Sequence, residues 1–125
     1  MGMHINRAVI GVVGVCGSGK STLVKGLRAR GIEIRHIAQE HSYVQTMWQK
    51  IGKAELLIFL DCSYPETIRR RQLNWTEAEY QEQHRRLQNA RENADLYLFT
   101  DPMTEQEVLA EVLDFLREQG IEAEE

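Results

Sequence analysis

Residues 14–21 read Gly-Val-Cys-Gly-Ser-Gly-Lys-Ser and match the pattern G-x-x-x-x-G-K-[ST]. No other stretch limits the fold of the chain so sharply. The pattern calls for a strand before it, a helix after it and, between them, backbone that can close around an anion. Residues 8–13 (AVIGVV) supply the strand, a β-rich apolar run suited to burial on both faces. Residues 21–30 supply the helix, with Leu23, Val24 and Leu27 on one face and Gly31 as its stop. Gly14, Gly17 and Gly19 let the backbone approach a phosphate closely. The loop N–H groups and the positive end of the helix dipole then attract it. Lys20 is placed to reach the β- and γ-phosphates as a point charge. Ser21 offers its hydroxyl to Mg²⁺, and Thr22 adds a contact to the α-phosphate. Cys16 and Ser18 fill free positions of the loop. For Cys16 a small side chain that fits is the preferred reading over a redox role, because no resolving partner stands nearby in sequence.

The rest of the chain continues the alternation of strand and helix. Residues 32–38 (IEIRHIA) predict a second strand and residues 42–50 a short helix, from the spacing of Val44, Met47, Trp48 and Ile51. Residues 56–60 (LLIFL) predict the most buried strand. Pro65 at a first helical position, with Ser63 as a cap, opens a helical pair over 65–94. Leu73, Asn74 and Trp75 interrupt it, and Thr76 to Glu79 fits a capping box that restarts it. Residues 96–99 (LYLF) predict a fourth strand. Thr104 to Glu107 is a second capping box, opening a last helix that ends near Gly120, and the acids of 122–125 form a frayed tail. The expected fold is α/β: a doubly wound parallel sheet of four or five strands with helices on both faces. A single domain over 1–121 is expected, with a small lid-like helical segment near 65–94.

Composition removes several classes. The apolar fraction is 42% and the charged fraction 27%, ordinary for a soluble domain. The apolar runs fall well short of the roughly 20 residues that span a bilayer, and the first is a poor signal peptide. Asn6 defeats a myristoylation pattern at Gly2. Cys16 and Cys62 make neither a disulfide framework nor a zinc spacing, so reduced thiols and a cytoplasmic location are expected. The net charge of −4 is uneven: residues 101–125 hold nine acids and one base, which leaves +4 on residues 1–100. The front of the chain suits an anion, and the acidic end argues against a nucleic-acid partner.

With these segments in view, the chain resembles the P-loop nucleoside and nucleotide kinases. The glycine loop, then LLIFLDCSYPETIRRR, then NADLYLF before a terminal helix, is most similar to the dephospho-coenzyme A kinase and adenylate kinase branch. The resemblance implies ATP with Mg²⁺, transfer of the γ-phosphoryl group, lid arginines, and an adenine lying against residues 100–103, where Asp101 and Met103 stand. The chain departs from those kinases between the second strand and LLIFLD, where only residues 39–55 replace an extra strand and a substrate-binding insert. The acceptor is therefore small, or its site is reduced, or a second copy of the chain in a homodimer completes it. No guanine-reading N-K-x-D and no D-x-x-G follow, which argues against a Ras-like GTPase.

A site of this kind needs an acid at the tip of a neighbouring strand, to hold Mg²⁺ or orient the attacking group. Glu40 and Asp61 both qualify. Glu40 is favoured, because a missing strand puts residues 32–38 beside the loop strand. The Gln39-Glu40-His41-Ser42-Tyr43 run reads equally as a substrate-orienting segment and as a turn before a helix. His36 is read as structural, and His4 and His84 belong to no constellation. Arg69, Arg70 and Arg71, with Arg85 and Arg86, supply cations for developing phosphoryl charge. Any one of them also fits a solvated, ion-paired face beside Glu66 and Glu82.

Overall fold

A computed structural model describes residues 8–71 and 74–123. Leu73, His4, Gly2, Asn6 and the acids at 124 and 125, which figured in the expectations above, lie outside the described residues. Four strands form one all-parallel sheet: β1 (Ile10–Gly14), β2 (Arg35–His36), β3 (Leu56–Asp61) and β4 (Leu96–Phe99), in the order β2-β1-β3-β4. The helices are α1 (Lys20–Arg28), α2 (Met47–Lys50), α3 (Tyr64–Arg71), α4 (Glu77–Asn93) and α5 (Glu105–Glu118). The chain leaves β1 toward β2 on one side, then returns past β1 to β3 and β4 on the other. That reversal puts a crevice at the carboxyl ends of the strands and is compatible with a doubly wound sheet.

The central strands are apolar throughout because both of their faces are covered. Side chains alternate across a strand. Ile10, Val12, Ile58 and Leu60 therefore pack with Leu23, Val24 and Leu27 of α1 and Val108, Val112 and Leu116 of α5. Val13, Leu57 and Phe59 pack on the opposite face with Trp48, Tyr80, Leu87 and Ala90. Both capping boxes form as the sequence spells them. Thr76 accepts from Glu79 N, Thr104 accepts from Glu107 N, and each glutamate reaches back to its cap N–H. Gly31 and Gly120 end their helices in the left-handed conformation, at φ 79° and 84°.

Two expectations are corrected. The second strand pairs only at Arg35–His36, opposite Gly11 and Val12. Ile32, Ile34 and Ile37 are nonetheless buried, so the alternation reported burial rather than a long ladder. The helix expected over 42–50 is a 3-10 turn (Gln39–His41), an extended Ser42 and the four-residue α2. The buried Gln39 explains this: its amide donates to Val44 O at 2.8 Å and accepts from Trp48 N at 2.8 Å. Those bonds hold the segment in a non-helical path, and Val44 and Ile51 stay exposed instead of forming an apolar stripe.

Candidate functional site

The loop between β1 and α1 is shaped by close approach. A Cβ on Gly14 would lie 2.1 Å from Leu60 O, so no larger residue fits beside β3. Gly19, at φ 105°, caps α1 without any side-chain bond, and the first turn of α1 carries no acid. The N–H groups of Lys20, Ser21 and Thr22 find no backbone acceptor among the described residues. A helix N-terminus left bare in this way is an anion site in waiting.

Lys20 is buried, and its ammonium is held at 2.6 Å from Gly14 O, 3.1 Å from Val15 O and 3.0 Å from Glu40 Oε2. Glu40 comes from the 3-10 turn after β2. It is 4% exposed, yet its Oε1 has no hydrogen-bond partner among the described residues, and neither has the buried Ser18 Oγ. Buried polar atoms are nearly always paired. Three buried side-chain atoms have no hydrogen-bond partner among the described residues: His84 Nε2 lies near Asp61, and the other two, Ser18 Oγ and Glu40 Oε1, lie together beside this bare helix terminus. A cavity of about 1090 Å³ opens there. Residues 16–22 line one wall, His36, Glu40 and His41 a second, Arg69, Arg70 and Arg71 a third, and Met103 with the start of α5 the fourth. Ser21 and Thr22 are exposed in it.

The arginine run resolves into three different situations, because successive helical residues point about 100° apart. Arg69 is exposed and pairs with Glu66. Arg70 pairs with the same carboxylate at 2.8 Å and donates to Thr100 Oγ1, Thr100 O and Gly17 O, at 2.9, 2.5 and 3.3 Å. Arg70 thus ties α3 to the loop and to the end of β4. Arg71 is exposed, lies along Gly17, and has no ion-pair partner among the described residues. Arg69 first, and Arg70 after it, hold Glu66 down to about 2.

Two expected site residues stand off the cavity. Asp61 ends β3 on the face that carries Leu57 and Phe59. It accepts from Tyr97 OH at 2.6 Å and Cys62 N at 2.9 Å, with His84 Nε2 at 3.4 Å. Burial pushes its carboxyl up, but the His84 and Tyr97 bonds outweigh that and leave it below the usual range. Asp101 accepts from Ser63 N and Ser63 Oγ, at 2.9 and 2.7 Å, and so anchors the start of α3. The structure therefore gives both acids structural partners away from the loop. Trp48 and Trp75 are packing residues whose indoles donate to Asn89 and Thr67.

Of three further residues at the site, Gln83 was not singled out from sequence, Thr100 was named only within the 100–103 segment, and His36 was read as structural. Gln83 of α4 accepts from Cys16 N at 3.1 Å and donates toward Cys16 Sγ at 3.2 Å, which fixes the outer side of the loop. Its signal was a glutamine standing in the Tyr80, Leu87, Ala90 stripe of buried α4 positions. Thr100 Oγ1 lies 3.2 Å from Ser18 O and 3.0 Å from Asp61 O, which joins loop to sheet. His36 faces the cavity from β2. Burial and then the Lys20 ammonium push its imidazole below the usual value, while Glu40 works against them.

The fit to a triphosphate with its metal can be tested on these atoms. Bare N–H groups, an ammonium, a hydroxyl at Ser21 and a carboxylate oxygen without a partner are the donor set that such a group needs. Among the described residues no helix is long and apolar enough to cross a membrane. No protein-family model and no curated protein matches the chain.

Proposed function

We propose that the chain binds a nucleoside triphosphate with Mg²⁺ and transfers its γ-phosphoryl group to a small acceptor, as a shortened relative of the P-loop kinases. The observation that supports this best is the coincidence of the bare first turn of α1, the buried Lys20 ammonium and the unpartnered Ser18 Oγ and Glu40 Oε1 in one cavity. A turn with only a structural role would leave no such set of unsatisfied groups around a buried cation.

In this reading the loop N–H groups cradle the phosphates. Lys20 shares its ammonium between the loop carbonyls and the β- and γ-phosphate oxygens. The Ser21 hydroxyl and Glu40 would hold Mg²⁺, which supplies charge to offset that of the phosphates. Glu40 also accepts the proton of the acceptor hydroxyl. The acceptor oxygen bonds to the γ-phosphorus, the bond to the β–γ bridging oxygen breaks, and the nucleoside diphosphate leaves. Arg71, without an ion-pair partner among the described residues and beside Gly17, is the arginine best able to turn toward charge that develops in this step. Met103 lines the cavity, and in this reading the base lies against it; adenine is preferred over guanine because no guanine-reading motif is present.

Calorimetry tests the reading. ATP with Mg²⁺ should bind far more tightly than adenosine, and Lys20→Ala should remove most of the difference. Equal affinity for ATP and adenosine would overturn it. One observation favours a second reading, a nucleotide-binding regulatory module or slow NTPase. The acceptor side, residues 39–55, holds only a 3-10 turn and the four-residue α2. Tight ATP binding without single-turnover transfer to any hydroxyl or phosphate acceptor would select that reading.

A further inference from the structure

Three metal-binding chemistries meet at the mouth of the loop. Cys16 Sγ, a Glu40 carboxylate oxygen and a His41 ring nitrogen all lie within 4.8 Å of one another. They come from two segments far apart in sequence, the loop after β1 and the 3-10 turn after β2. From this cluster we infer a binding site for a borderline-soft divalent cation, zinc above all, with the thiolate, the carboxylate and the imidazole as protein ligands. The inference goes beyond the proposed function, because it concerns a different ion and needs no nucleotide.

Glu40 Oε1, the oxygen that the proposed reaction also draws on, is open to such a cation while no nucleotide is bound. Lys20 Nζ lies 3.0 Å and His41 Nε2 3.7 Å from Oε2, whereas Oε1 is buried and has no hydrogen-bond partner among the described residues. A buried carboxylate oxygen is expensive to leave bare, and a cation on Oε1 satisfies it without displacing Lys20. The donor set selects the metal. Mg²⁺ takes oxygen ligands and avoids thiolate, whereas sulfur with nitrogen and oxygen suits zinc and its near neighbours.

The geometry needs little adjustment. A tetrahedral zinc with ordinary bond lengths has ligand–ligand edges of about 3.3–3.8 Å. The His41 side chain is exposed, so its ring is free to close the remaining gap. Cys16 already has an outer partner, since the Gln83 amide donates toward its sulfur. Contacts of this kind orient metal ligands and hold them in place. Binding transfers the Cys16 thiol proton to solvent, and thiolate and carboxylate together balance the charge of the ion. Three protein ligands leave a fourth position, which opens on the cavity and takes water.

Cobalt is the probe, because a cobalt–thiolate bond absorbs in the near ultraviolet and tetrahedral cobalt has strong visible bands. Nucleotide-free wild-type protein titrated with Co²⁺ should show both, and equimolar Zn²⁺ should bleach them. Cys16→Ser should abolish the thiolate band. Glu40→Gln and His41→Ala should each weaken Co²⁺ by tenfold or more, with the fold checked by circular dichroism. Cys62→Ser should leave the band intact, because burial pushes the Cys62 thiol up to about 12 and closes it to solvent. Lys20→Ala should keep the cobalt band while losing nucleotide, which separates this site from the phosphate site. Absence of the band in wild type, its survival in Cys16→Ser, or unchanged affinity in His41→Ala would overturn the inference.

Discussion

Glu40, in the turn after β2, and Asp61, at the end of β3, stand beyond the carboxyl ends of the two strands that flank β1, and each is 4% exposed. By burial they are the same residue. By hydrogen bonding they are opposites. Asp61 has a partner for each oxygen: Tyr97 OH on one, Cys62 N and the nearby His84 on the other. Glu40 has Lys20 on one oxygen and nothing on the other. Asp61 is what a finished structural carboxylate looks like. Glu40 is a carboxylate with one oxygen left open among the described residues. The state of the second oxygen, rather than burial, is the difference between the two on which the proposed function rests.

The widest split between the two is expected in turnover. Glu40→Gln keeps the shape and a hydrogen bond toward Lys20 but cannot take a proton. If Glu40 is the base, single-turnover phosphoryl transfer should fall by about 10²-fold or more, with a smaller change in KM for ATP. Asp61→Asn should leave the rate within about threefold, a barrier change under ~1 kcal/mol. A slow Asp61→Asn with a normal Glu40→Gln would reverse the assignment of the two acids.

Stability should split them the other way. Asp61→Ala removes the acceptor of the buried Cys62 N and of Tyr97 OH, and the carboxylate that stands beside His84. Urea unfolding should show a loss of about 2–3 kcal/mol, from the unmet partners. Glu40→Gln should cost under ~1 kcal/mol, since Lys20 keeps two carbonyls and the amide oxygen. Equal losses would mean that Glu40 is as much a framework group as Asp61.

The parity of β3 explains why the sequence left these two acids unresolved. Residues 57 and 59 face α4, residues 58 and 60 face α1 and α5, and Asp61 inherits the α4 face. The run LLIFLD is apolar on both sides, so nothing in it says which face the cavity uses. Local signals, by contrast, were legible. The glycine loop, both capping boxes and the two buried strands each depend on residues within a few positions of one another. The helix expected over 42–50 forms only at Met47–Lys50, because the path before it is set by Gln39 bonding to Val44 and Trp48 and by Arg86 of α4 lying behind it. Those contacts give no periodic trace. Gln83 was missed for a similar reason: its importance lies in a loop 67 residues away.

The arginines sharpen the comparison on a smaller scale. Arg70→Ala should lower stability by about 1.5–3 kcal/mol, through lost charge-assisted bonds to Thr100 and Glu66. Arg69→Ala should leave the unfolding midpoint almost unmoved, as an exposed pair on one helix. Arg71→Ala should leave stability alone and slow transfer. Unfolding curves and single-turnover rates on the three variants separate a tie, a surface pair and a reaching cation. An Arg71→Ala that unfolds early and reacts normally would remove it from the site.

The smallest effect should appear in the pH dependence of stability, where the two sides of the sheet titrate in different windows. Asp61 is held below its ordinary value in the folded protein. Its contribution is therefore complete above the unfolded carboxylate value, near pH 4, and is lost as pH falls through the folded value. Asp61→Asn should flatten that acid limb. His36 on the cavity side is also lowered, by burial first, then by Lys20 against the pull of Glu40. Here the unfolded chain binds the proton more readily, so stability begins to fall as pH drops below about 6.5. It stops falling once the folded imidazole is also protonated. His36→Gln should remove this shallow component and leave the Asp61 limb in place. Bound phosphate adds negative charge beside His36 and offsets the Lys20 ammonium, so ATP should shrink the His36 component and leave the Asp61 limb unmoved. An NMR titration of the His36 ring, with and without ATP and Mg²⁺, reads this directly. A His36 titration that ignores ATP would place the phosphates elsewhere than against Lys20, and would remove the reason for treating the two carboxylates differently.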